Sequence, residues 1–127
     1  MACALVHFGI ADDALGAIQV VRDPLQRYEY QTVCRMCEDP ECVAACMAAA
    51  LARDPETGRI IVDRDRCIGC WMCVMVCPYG AVVASERLGK AIICDQCFER
   101  EQAACVAACS TGAIQMAEAE DTAGIAE

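Results

Sequence analysis

Large side chains are scarce in this chain. Among 127 residues there are one Trp, three Tyr and two Phe. Much of the apolar fraction is Ala and Cys, so side chains alone make a thin core. Bound cofactor must fill space and supply folding free energy, and the metal-free chain is expected to fold poorly. Basic residues are also few: 10 Lys and Arg against 19 Asp and Glu, a net charge of −9. That balance disfavours nucleic acid and anionic membrane surfaces, and suits a protein partner with a basic docking face. Acidity also serves plain solubility. No stretch approaches the ~18 apolar residues of a membrane span. The opening Met1-Ala-Cys-Ala-Leu-Val-His7 lacks a basic segment followed by an apolar one, and no twin-arginine signal occurs. A cytoplasmic location is expected, unless a partner subunit carries the chain elsewhere. There is no nucleophile–base pair, Gly-rich phosphate loop or dinucleotide-binding fingerprint, so the chain alone is expected to turn over no substrate.

The residue in excess is cysteine, at 13. An odd total argues against a fully paired disulfide framework. The spacings favour metal, which implies a compartment where thiols stay reduced. The most specific run is Cys67-Ile-Gly-Cys70-Trp-Met-Cys73-Val-Met-Val-Cys77-Pro78, or C-x2-C-x2-C-x3-C-P. This is the spacing that holds iron–sulfur clusters in bacterial-type ferredoxins, where the fourth cysteine ligates a neighbouring cluster. Thiolates are the soft ligands such clusters select. Gly69 lets backbone approach inorganic sulfide, and Pro78 stops the preceding helical turn.

Two further runs flank it. Cys34-Arg-Met-Cys37-Glu-Asp-Pro-Glu-Cys42-Val-Ala-Ala-Cys46 lengthens the middle gap, with Asp39-Pro40 as the turn and a short Ala-rich helix over 41–49. Cys94-Asp-Gln-Cys97 is followed, after seven residues, by Cys105-Val-Ala-Ala-Cys109. Cys3 stands alone. Short strands are expected over 17–22 and 27–33, hairpins over 50–62 and 81–93, a last strand over 110–116 and a frayed tail over 117–127. The fold class is α+β, built from pseudo-symmetric ferredoxin-like repeats with short hairpins and short helices. One domain spans 1–127, with a central dicluster unit at 33–83 and a second, incomplete unit formed by 1–32 with 84–116.

The cross-over rule assigns ligands. Cys34, Cys37 and Cys42 are closed by Cys77. Cys67, Cys70 and Cys73 are closed by Cys46. Cys94, Cys97 and Cys105 lack a fourth ligand, and Cys3 is the cysteine left to supply it. This predicts three 4Fe–4S clusters and leaves Cys109 spare. A fourth cluster at Cys109 needs a partner or further N-terminal residues. His7, four residues after Cys3, reads as a packing or hydrogen-bonding neighbour. Arg35 is expected to raise its cluster's potential, Glu38 and Asp95 to lower theirs. Trp71 and Met72 are expected to shield the second cluster from water, and Met36, Met47 and Met75 to fill space near sulfur.

In order and spacing, Cys34–Cys46, Cys67–Pro78 and Cys94–Cys109 resemble the second, third and fourth cysteine groups of the polyferredoxin-like electron-transfer subunits of oxidoreductases. Cys3-Ala-Leu-Val-His7 resembles the tail of the first group, whose first three cysteines are absent. The resemblance implies a non-catalytic relay of single electrons between a catalytic subunit and another carrier, such as a flavin protein or a ferredoxin. The implied catalytic partners are CO dehydrogenase, hydrogenase, or tungsten- or molybdenum-dependent aldehyde or formate oxidoreductases. Two rival readings are a zinc-bound interaction module and a protein that stores or delivers iron–sulfur clusters.

Overall fold

The computed structural model describes residues 1–25 and 27–117. Every element is short. Helix α1 (Ala2–Phe8) is followed by a 3-10 turn (Asp13–Leu15) and strands β1 (Gln19–Arg22) and β2 (Glu29–Thr32). Next come α2 (Glu41–Ala44), β3 (Leu51–Arg53), β4 (Ile60–Val62), α3 (Met72–Val76), β5 (Val83–Ser85), β6 (Lys90–Ile92) and α4 (Ala104–Ala108). The strands form three separate antiparallel ladders, β1–β2, β3–β4 and β5–β6. Leu51 pairs with Val62, and Val83 with Ile92. This is the α+β pattern of short helices and hairpins expected of a ferredoxin-like chain. Among the described residues no helix is long and apolar enough to cross a membrane.

The chain divides into two compact units, Met1–Gln96 and Cys97–Glu127. The first holds all six strands and α1 to α3; the second holds α4.

Aspartates close the turns of the first unit. The side chains of Asp12, Asp23, Asp54 and Asp63 each accept the backbone N–H two residues on, at Ala14, Leu25, Glu56 and Asp65. Such Asx turns are a local property of the residue. Part of the acidity is therefore structural.

Two small cores lie within the first unit. Leu51, Ile60, Cys73, Val82, Ala91 and Ile93 form one, bordered by Cys34, Cys42, Cys46, Cys67 and Cys77. Ala4, Leu15, Ala17 and Ile92 form the other, bordered by Cys3 and Cys94. Among the described residues, Leu15 and Ile60 are the larger side chains that are fully buried. The expectation of a thin core matches this arrangement, and the structure adds that cysteines stand at its rim. Ladder β1–β2 contributes little to either core: Val20 is 58% exposed, and Tyr28 and Tyr30 sit half out with ring centroids 6.0 Å apart.

Two expected elements differ. The helix expected over 41–49 is a single turn, Glu41–Ala44. The chain leaves it so that the Cys46 sulfur can accept the N–H of Ala50, with Ala49 taking a left-handed φ of 50°. The strand expected over 110–116 does not form. Backbone groups of Thr111, Ala113 and Ile114 are directed at the Cys109 sulfur rather than at a neighbouring strand. The tail expected over 117–127 lies, after residue 117, outside the described residues.

Ile60→Ala is expected to destabilise the iron-loaded protein by about 2–5 kcal/mol, the range for emptying a buried aliphatic site. Denaturant unfolding followed by circular dichroism measures it.

Candidate metal centres

The opening C-x-x-C of each of the three cysteine runs shares one backbone feature. The residue before the second cysteine has positive φ in each: Met36 at 50°, Gly69 at 69° and Gln96 at 60°. A left-handed residue within such a turn swings successive N–H groups to one side, making the concavity in which iron–sulfur centres and anions sit. A non-glycine residue in that conformation stores on the order of 1–3 kcal/mol, which surrounding structure must offset. At the central loop a side chain is excluded for a second reason. A Cβ on Gly69 would lie 2.5 Å from the carbonyl oxygen of Gly89 in the β5–β6 turn. The sequence pointed to close approach at Gly69; the neighbour it approaches includes the hairpin backbone.

The cysteines proposed to close each set share a second feature. Cys3, Cys46 and Cys77 each accept a backbone N–H at sulfur, from Ala17 at 3.5 Å, Ala50 at 3.3 Å and Ala81 at 3.5 Å. All three alanines are buried. A donor held this way stabilises negative charge on the sulfur. The Cys109 sulfur stands 3.5 Å from the Thr111 hydroxyl, and the backbone of Ile114 and then Ala113 also favours its negative charge. The repeated C-x3-A spacing at Cys46, Cys77 and Cys109 was available in the sequence and marks these positions.

Electrostatics shows which sulfurs lie together in the first unit. Burial, reinforced by Cys34, Cys77 and Cys73, pushes the Cys42 thiol up to about 11. Burial also raises Cys34, where an N–H from Met36 opposes it and Cys37 and Cys77 add to it. Cys73 is raised by burial, with Cys67 and Cys46 acting in the same direction. Thus Cys77 and Cys73 act on the 34–42 run, and Cys46 acts on the 67–73 run. Thiols pushed upward stay protonated without metal, so metal entry must release protons. A small hollow, partly open to solvent, is lined by Cys46, Cys67, Cys70, Cys73 and Trp71, with Gly69 at its wall. Trp71 thus stands where shielding was expected, its own φ of 61° turning it at the start of α3.

For the remaining set, Cys3 and Cys94 border the same core of the first unit. Cys97 is buried and Cys105 partly exposed in the second unit. Their assignment rests on spacing.

Charged neighbours are held in place. Arg35 lies 4.6 Å above the Tyr79 ring, which keeps a cation beside the Cys77-Pro78 corner. His7 Nε2 stands 3.6 Å from Asp95 Oδ1, an ion pair when the imidazole is protonated. Arg53 Nε donates to the Cys37 carbonyl at 3.1 Å, and Lys90 Nζ to the Cys67 carbonyl at 2.5 Å. These last two cations carry no motif and were missed in the sequence. Met36 packs its sulfur 3.9 Å from Cys34 Sγ, as expected. Met47 and Met75 are 77% and 74% exposed, and fill no space beside sulfur. The donor set is all thiol, ringed by backbone N–H groups, and fits iron–sulfur chemistry.

The family model described as "4Fe-4S dicluster domain" matches residues 26–119. The chain is 38% identical over 130 residues to YsaA of Escherichia coli K12, an electron transport protein by name, covering 94% of this chain and 80% of that one. It is 35% identical over 116 residues to the beta subunit of NADH-dependent phenylglyoxylate dehydrogenase of Aromatoleum evansii, covering 90% of this chain and 26% of the relative. Against the B subunit of anaerobic dimethyl sulfoxide reductase of Escherichia coli K12 the identity is 38% over 91 residues, or 68% of this chain and 44% of that one. The chain therefore spans less than half the length of these two oxidoreductase subunits.

Two outcomes are expected. Gly69→Ala should lower the iron-to-protein ratio and the visible absorbance, because both its φ and its contact with Gly89 forbid a side chain. In the iron-loaded protein, Cys109 should be alkylated by iodoacetamide ahead of every other cysteine. Hydrogen bonding from Thr111 and backbone N–H groups lowers its thiol to about 7. Only thiolate reacts, so its rate should rise with pH to half-maximum near that value and then level off. Peptide mapping at several pH values checks this.

Proposed function

The chain belongs to the 4Fe–4S dicluster domain family, and from that membership we propose that it relays single electrons between a catalytic oxidoreductase subunit and another redox carrier. The relay runs through three 4Fe–4S clusters, each accepting one electron at a time. The proposed ligands are Cys34, Cys37, Cys42 and Cys77 for the first, Cys67, Cys70, Cys73 and Cys46 for the second, and Cys94, Cys97, Cys105 and Cys3 for the third. The observation that supports the reading is the nearness of sulfurs from different runs: Cys77 acts electrostatically on Cys34 and Cys42, and Cys46 on Cys73. A zinc knuckle encloses its own four ligands and has no need of that exchange. The third set is supported by spacing, and by Cys3 sharing the alanine N–H contact of Cys46 and Cys77.

In this reading the chain turns over no substrate itself. The names of its relatives point to partners of the dimethyl sulfoxide reductase or phenylglyoxylate dehydrogenase kind. The motif resemblance adds CO dehydrogenase, hydrogenase, and tungsten or molybdenum enzymes. We assign the first two clusters to the ferredoxin-like repeat at 33–83, and the third to an incomplete repeat made of 1–32 with 84–116. The protein supplies binding and tuning. Backbone N–H groups and Arg35 favour the more negative, reduced state, and burial opposes it. Potentials of such clusters span roughly −700 to +450 mV.

Purification of the native complex, with identification of its largest subunit, tests the partner. Within the chain, Cys3→Ala should lose or convert one cluster, while Cys109→Ala leaves iron content unchanged. Equal iron loss from both substitutions overturns the ligand assignment. A colourless protein with stoichiometric zinc ends the relay reading. Ready transfer of clusters to an apo acceptor, with no oxidoreductase bound, favours storage instead.

A further inference from the structure

The two hairpins that follow the first two cysteine runs each return a cation to a cysteine loop. Arg53 ends β3 at the rung nearest the turn, opposite Ile60. Its Nε donates to the carbonyl of Cys37 at 3.1 Å. Lys90 begins β6 at the rung nearest its own turn, opposite Ser85. Its Nζ donates to the carbonyl of Cys67 at 2.5 Å. Both side chains are half-buried. Each is fixed by its strand at one end and by a ligand residue's backbone at the other. A chain of net charge −9 would otherwise surround its sulfurs with negative potential. Two of its 10 basic residues are instead directed at carbonyls of the very residues proposed to hold iron.

We propose that Lys90 and Arg53 are the fixed positive charges that raise the reduction potentials of the second and first centres respectively. The inference rests on the ligand sets proposed above. Reduction places one electron on the centre, taken from a one-electron donor, with no bond made and no proton moved. The site gains one negative charge. A cation held a few bonds from a ligand sulfur lowers the energy of that state relative to the oxidised one, because the effective dielectric there is well below that of water. The hydrogen bond to the ligand's carbonyl keeps the charge from swinging into solvent, where screening would remove its effect. Lys90 and Arg53 act through Cys67 and Cys37, and are positioning residues.

The test uses the full chain loaded with iron and sulfide, titrated with dithionite and followed by electron paramagnetic resonance, with iron counted in every sample. Lys90→Met should keep wild-type iron and move one wave to lower potential. A tenfold change in the reduction equilibrium is expected, about 59 mV for a one-electron couple. Arg53→Met should move a different wave in the same direction. Lys90→Arg and Arg53→Lys should return each wave toward wild type, since charge and not shape is conserved. Unmoved waves with iron intact overturn the proposal. So does a Lys90→Arg wave displaced as far as that of Lys90→Met, or loss of iron from both Lys90 variants, because either result makes the contact structural. A wild-type chain that takes up no iron and sulfide sinks the ligand sets themselves, and the proposal with them.

Discussion

Sulfur must be held in place by backbone, because this chain has few large side chains to do it. Cys3, Cys46 and Cys77 each take an N–H from a buried alanine. The alanine is small enough to let the peptide plane approach and apolar enough to stay in the core. Each C-x-x-C loop adds a left-handed residue that turns its amides toward one side. Folding and site construction are thus one process. The α2 turn ends early to aim Cys46 at Ala50, and the segment after Cys109 gives up a strand to serve its sulfur. The same substitution at a loop glycine or a core alanine would damage both stability and metal binding.

The surroundings of the sulfurs divide into groups that favour negative charge and groups that oppose it. Burial raises Cys34, Cys42 and Cys73, and neighbouring sulfurs push them further. Amides, the stacked Arg35 and the hairpin cations act in the other direction. The acidic side chains that dominate the composition are largely employed elsewhere, closing turns at Asp12, Asp23, Asp54 and Asp63 or standing in solvent. The negative total and the positive local setting are compatible because they occupy different places.

Much of this was legible before any coordinates. The period of the cysteine spacing fixed the loops, and Asp-Pro and Gly signals located the hairpins to within a residue or two. The exchange of Cys46 and Cys77 between runs, read from the x3 gaps, stays a proposal, supported by Cys77 acting on Cys34 and Cys42 and by Cys46 acting on Cys73. Elements that depended on tertiary choice were less readable. Nothing local in 41–49 announces that its second half unwinds, since Ala favours helix everywhere. The run 110–116 has strand-like residues, yet a strand needs a neighbour, and Cys109 claims those amides first. Arg53 and Lys90 left no signal because each lies 16 to 23 residues from the carbonyl it meets. Met47 and Met75 were assigned by composition to a role that their exposure does not allow.

The traded sulfurs have a consequence for biogenesis. In the proposed ligand sets Cys77 joins the 34–42 run and Cys46 the 67–73 run, so neither pocket is finished by its own loop. Filling one draws in the fourth thiol of the other and brings its backbone along. Maturation of this pair should therefore be concerted, with half-filled chains rare. Damage by oxygen at either centre should spread to its twin, so that the two are gained together and lost together.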